Sequence, residues 1–163
     1  MYVSSEAALR IIAYIRTFYR TQGLGDIGPI DLHVFKDEEM ERRFGKDVMG
    51  NANTLHQINS RRQLTASEFA EVMAHELLHC WMFERGIYPP LDLCEGFCEL
   101  GAYLFLNHIN RPNALFRAQC IMQNPDPIYG DGFRTVNNAY LVGGWAGAIH
   151  LISGGQYKVP GLI

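Results

Sequence analysis

The run His75-Glu76-Leu77-Leu78-His79 constrains this chain more than any other segment. Val72, Met73 and Ala74 precede it, and Cys80, Trp81, Met82 and Phe83 follow, with no Gly, no Pro and no further charge inside the stretch. A segment apolar on every side predicts a continuous buried helix. On a helix, residues i and i+4 share a face, so His75 and His79 can grip one metal ion together. Glu76 stands beside the first histidine, where a general base for a metal-activated water is needed. Buried imidazoles and a carboxylate are costly when unpaired, and an ion between them removes that cost. The pattern points to a zinc hydrolase.

The local signals agree on where this helix begins and ends. Thr65-Ala66-Ser67-Glu68 is a capping box, in which each end residue satisfies the other's amide. Gly86 closes the helix, and Pro89-Pro90 interrupts the chain beyond it. Upstream, Ser4-Ser5-Glu6 opens a helix with Leu9, Ile12, Ile15 and Phe18-Tyr19 at helical spacing, ended by Gly23 and Gly25. Residues 30–35 alternate and predict a strand; 37–44 read as a short polar helix or turn, and 53–60 as a second extended stretch. Asp92 is placed to cap a helix over residues 93–107, with further helices at 113–123 and 135–152. The apolar part of the last one, 141–152, fits a buried helix despite Gly143, Gly144 and Gly147. This order predicts one α+β domain over residues 1–163.

A catalytic zinc site takes three protein ligands and leaves a position for water. No histidine lies between His79 and Asn107, so the third ligand is sought among Glu84, Asp92, Glu95 and Glu99. Glu84 is five residues past His79 and turned off the metal face, and Asp92 is committed to capping. Glu95 and Glu99 share a face of the next helix. Glu95, followed by Gly96, is the choice, because glycine lets a neighbouring backbone approach closely. Glu99 is then the alternative ligand, or the acceptor that orients one histidine from outside. An oxyanion donor is also expected. His150, Tyr129, Tyr103 and His108 are candidates that spacing does not rank, and packing is the commoner fate of such residues.

Composition excludes several classes. The chain has 163 residues, 48% hydrophobic and 19% charged, which describes an ordinary globular domain. A net charge of −3 gives no electrostatic case for nucleic acid, and Arg42-Arg43 and Arg61-Arg62 read as solvated surface. No apolar run approaches the ~18 residues of a membrane span, and no signal pattern opens the chain. Cys80, Cys94, Cys98 and Cys120 fit reduced thiols in a cytoplasmic setting, Cys94 and Cys98 as small buried hydrophobes.

Three blocks carry a resemblance beyond the zinc motif: MAHELLHCWMFERG, EGFCELGAYLFL, and PIYGDGFRTVNNA with the later His150-Leu151. In order and spacing they resemble the peptidase domain of the ubiquitin-activated, LIM-domain-associated metallopeptidases of plant organ-size control, over roughly residues 64–155. The resemblance implies a zincin-like fold of the glutamate-ligated type and peptide hydrolysis. His75, His79 and Glu95 would be zinc ligands and Glu76 the base. Tyr129 and His150 move up as pocket residues and oxyanion donors. Where the family often has a second acid before the ligand glutamate, this chain has Cys94. Plant members carry ubiquitin-interacting helices and LIM modules that this chain lacks, so it resembles a minimal catalytic domain. Ubiquitin enters as a partner by resemblance only; a protein or peptide substrate is expected. The rival expectation is a catalytically silent, zinc-stabilised protein-binding module, which the intact Glu76 disfavours.

Overall fold

Ser4 begins the first helix because its hydroxyl takes up an orphan amide, accepting from the Ala7 N–H at 3.2 Å. The computed structural model describes residues 2–158 and 160 and runs α1 over Ser5–Thr21. Ala8, Ile12, Ile15, Phe18 and Tyr19 form its buried stripe. Then come β1 (Asp31–Phe35), α2 (Asp37–Phe44), β2 (Gly50–Ala52) and β3 (Gln57–Arg61). Four long helices follow: α3 (Ala66–Glu84), α4 (Leu91–Ile109), α5 (Pro112–Gln123) and α6 (Tyr129–Ile152). The architecture is α+β, rich in helix with one small sheet. No described helix is long and apolar enough to cross a membrane.

The sheet has the order β1-β3-β2, with β1 parallel and β2 antiparallel to β3. Of the stretch expected to extend over 53–60, only the part from Gln57 is strand, and residues 53–56 form the turn between β2 and β3. Asn53 sets this turn, its side-chain oxygen accepting from the Leu55 and Gln57 amides at 2.9 and 3.2 Å. His56 then turns through a positive φ of 59°. β3 lies in the centre, with Ile58, Asn59 and Ser60 all buried. β2 is an edge strand that lies close on α3, for a Cβ at Gly50 would overlap Val72 and crowd Glu76. Arg61, expected on solvated surface, instead turns back under the preceding loop and donates to the Val48 carbonyl at 2.8 Å and to that of Lys46.

The metal-motif helix α3 is buried on nearly all sides, from Phe69 to Met82. Its capping box is formed: the Thr65 amide donates to Glu68 at 2.8 Å, and the Glu68 amide donates to Thr65 Oγ1. Two long-range bonds fix its position. Tyr19 Oη donates to the Ala74 carbonyl at 2.7 Å, and Trp81 Nε1 donates to that of Leu24 at 2.8 Å. The turn carrying His75 is therefore pinned by α1.

Pro90 is the N-cap of α4, and Asp92 lies in its first turn rather than at the cap expected for it. A carboxylate still suits that end of a helix. Gly96 serves α6, not α3: a Cβ on Gly96 would overlap the Gly132 carbonyl, and one on Gly132 would overlap that of Asp92. The close approach of α4 to α3 falls at Gly101, where a Cβ would overlap Leu78. Helix α6 consists of two limbs broken at Gly143 and Gly144, the latter at φ 59° and ψ −153°. The limbs fold back on each other, bringing Gly147 against the Ala139 carbonyl. The buried helix expected over 141–152 is thus a hairpin tip, with Leu141 72% and Val142 93% exposed, followed by a limb that buries Trp145, Ala148, Ile149 and Ile152.

Candidate metal centre

Helices α3 and α4 bring three of the expected residues to one point. His75 Nε2 and His79 Nε2 lie 3.2 Å apart. Glu95 Oε2 is 3.0 Å from the first nitrogen and 3.5 Å from the second. Around a tetrahedral ion with bonds of ~2.0–2.1 Å, neighbouring ligand atoms stand about 3.3–3.4 Å apart. The three observed separations bracket that edge. These side chains could hold a metal ion with little rearrangement.

The outer face of each imidazole is also engaged. Glu99 Oε1 accepts from His75 Nδ1 at 3.0 Å, which leaves Nε2 turned toward the cluster. On His79, the Nδ1 atom faces Cys94 Sγ at 3.6 Å. Side chains of His75, His79, Glu95 and Glu99 are only 11–14% exposed. Cys94 with His79 and Glu95, and Cys98 with His75 and His79, also place donor atoms within 4.8 Å of one another. The sequence treated both thiols as packing residues, and only the helix-to-helix register reveals the Cys94 contact.

The site gathers carboxylates around the two imidazoles. Glu76, Glu95 and Glu99 form the acidic side, and among the described residues no Lys or Arg pairs with any of them. Arg117 is turned to Glu71 and Glu68 instead. Burial disfavours a charged His75, yet the bonds to Glu95 and Glu99 hold its pKa well above the ordinary histidine value. Burial works against an ionised Glu95 as well, and its bonds to both imidazoles outweigh that and hold it far below the usual carboxylate range. In Glu76 burial prevails over the nearby imidazoles, and its pKa is raised.

Glu76, only 6% exposed, borders two cavities of about 440 and 350 Å³. Both are lined by Val48, Gly50, His75 and Tyr129; the larger extends to Asp47, Glu71 and Glu99, the smaller to His79, Phe83 and Glu95. Tyr129 is therefore at the site. Asp126 positions it, accepting from the Ile128 and Tyr129 amides at 2.8 and 2.9 Å as α6 begins. Its ring lies 6.4 Å from that of His75. Burial, with Glu95 and Glu76 nearby, pushes its phenol up to about 12, so it remains a hydrogen-bond donor at neutral pH.

The other oxyanion candidates lie elsewhere. His150 is exposed, its ring against Gly155, and lines neither cavity. Tyr103 packs on Phe133, and His108 on Phe18 and Tyr14. Glu84 faces away from the cluster, as expected, and accepts from the Gly28 amide at 2.5 Å. No family model, curated protein or solved structure matches the chain.

Proposed function

We propose that this chain is a zinc-dependent endopeptidase with a zincin-like, glutamate-ligated centre. One observation carries the reading: three donor atoms from two helices converge at tetrahedral spacing, with Glu76 beside them in the same cavities. His75, His79 and Glu95 would hold the ion, and Glu99 orients His75. Zinc held there supplies Lewis acidity, polarising a carbonyl and drawing the pKa of a water toward ~7. Glu76 takes the proton of the attacking water and returns it to the leaving amine. Tyr129 donates its hydroxyl to the oxygen on which negative charge develops.

The substrate that suits this site is an extended peptide. Among the described residues β2 pairs with β3 alone, and Gly50, Asn51 and Ala52 border the smaller cavity, where an added strand would lie beside Glu76, which accepts from the Ala52 amide. A net charge of −3 disfavours nucleic acid. The four cysteines are unpaired thiols, which fits a reducing compartment such as the cytoplasm.

Glu76→Gln is expected to keep zinc and lose turnover of a peptide library by several orders of magnitude, because the base is gone while the ligands stay. Zinc content and digestion are measured on the same samples. Activity that survives in the variant, or in chelator-treated wild type, rejects the mechanism.

Cys94 supports a second reading. Its Sγ faces His79 Nδ1, so with the His79 ring turned over it would join His79 and Glu95 as a thiolate, close the site and make it the stabiliser of a binding module. Unchanged zinc affinity in Cys94→Ser favours the open centre, and a large loss favours the closed one.

A further inference from the structure

Building on the peptidase reading, we infer that the centre selects peptides with an aromatic side chain beside the bond it cuts, received on a shelf formed by Phe83 and Tyr88. The shelf starts at a candidate ligand. Phe83 is stacked on His79 with ring centres 6.1 Å apart and planes 19° apart. Tyr88 continues the stack on Phe83 at 6.2 Å and 27°. The rings thus step outward from the cluster toward solvent. Phe83 also lines the 350 Å³ cavity that holds Glu76 and Glu95. That volume is at the small end of ligand pockets, which suits a single side chain.

The core explains the inner part of this stack but not the outer. Tyr88 is 68% exposed, and burial gives no reason for an aromatic there. Its position is nonetheless fixed. Ile87, 5% exposed, anchors the 85–90 turn on one side, and Pro89-Pro90 stiffens it on the other. A rigid, half-open aromatic face gains from another ring laid against it, at little cost in side-chain freedom. Neither cavity is lined by a described Lys or Arg; the larger is bordered by Asp47, Glu71 and Glu99, and the smaller by Glu76, Glu95 and the ring of Phe83. Phe83 lines the smaller cavity and not the larger, so an aromatic side chain is placed at the Phe83 end.

The test uses the full chain carrying Glu76→Gln, loaded with zinc, so that binding is read without turnover. Short fluorescein-labelled peptides of Ala, Ser and Gly carry one central Phe, Leu, Arg or Ala, and anisotropy gives their affinities. The Phe peptide is expected to bind roughly tenfold tighter than the Ala peptide. Adding Tyr88→Ala should reduce that advantage to roughly twofold, while Tyr88→Phe retains it, because only the ring matters. Tyr88 is exposed, so either variant folds. Equal binding of the Phe and Ala peptides, strongest binding of the Arg peptide, an advantage that survives Tyr88→Ala, or no binding at all overturns the shelf. Wild-type digestion of the same peptides separates the two claims. Discrimination in binding without cleavage retires hydrolysis and leaves the shelf; cleavage without discrimination does the reverse.

Discussion

Glu95 and Glu99 are one helical turn apart, yet they meet opposite nitrogens of the same imidazole. Glu95 faces His75 Nε2 and His79 Nε2, while Glu99 holds His75 Nδ1 from behind. Their removal should therefore differ in kind. Glu99→Ala frees the His75 ring and should weaken zinc binding by about 10–100-fold, the usual cost of losing such a partner. Glu95→Ala removes a donor and should weaken it further, as titration against a competing chelator will measure. The reverse ranking would move the third ligand one turn along α4. At this scale the sequence was informative wherever spacing alone fixes geometry. Two histidines four apart must share a face, and Glu95 and Glu99 must too. Contacts that depend on how helices meet were not legible. Cys94 reaches His79 only because of the α3–α4 register, and nothing in the local sequence separates Tyr129 at the cluster from Tyr103 packed on Phe133.

Glycine decides how these helices can cross. At Gly96 the backbones of α4 and α6 touch, and a methyl group there would overlap the Gly132 carbonyl. Gly96→Ala should force the two helices apart, costing about 1–3 kcal/mol in urea unfolding. It should also lower zinc affinity, because Glu95 is the residue before it; full affinity in a destabilised variant would mean that packing on α3 alone sets the position of Glu95. The start of α3 can be tested by pH. The Thr65 amide holds the Glu68 pKa below its ordinary 4.5, so the folded chain binds that proton less readily than the unfolded one. The stabilisation by ionised Glu68 is complete above that value and lost as the pH falls through the folded pKa. The advantage of wild type over Glu68→Gln, measured by thermal melts, should be constant near neutrality and shrink below about pH 4.5. An advantage unchanged in acid would assign it to packing. Capping boxes, proline breaks and the α1 stripe were legible because they are local. The turn that Asn53 sets over 53–56 and the fold-back at Gly143–Gly144 were not, since an apolar run reads alike in a straight helix and in a hairpin.

Across the whole molecule, the hydrophobic core stands apart from the candidate metal centre. Ile15, Met73, Leu77, Phe97, Phe105 and Val136 are fully buried and join α1, α3, α4 and α6 without using a cluster atom. A chain of this length buries roughly 70% of its unfolded surface, enough to fold without an ion. A bound ion adds to that by linkage, about 4.1 kcal/mol when it is present at about 1,000 times its Kd. In a domain of this size each kcal/mol moves Tm by about 2–4 °C. Chelation should therefore lower Tm by on the order of 10 °C, while the far-UV helix signal at room temperature stays intact. Re-adding zinc should restore the midpoint, and Glu95→Ala should show little response to either treatment. The experiment discriminates because a structural centre behaves differently: small domains closed around four ligands unfold when the metal is withdrawn. Collapse of the helix signal on chelation would make the ion a structural brace and favour the Cys94-closed reading. An unmoved midpoint would mean that no ion binds at these residues. Retained helix with a lowered midpoint is the behaviour of a preformed scaffold that carries an open, three-ligand site.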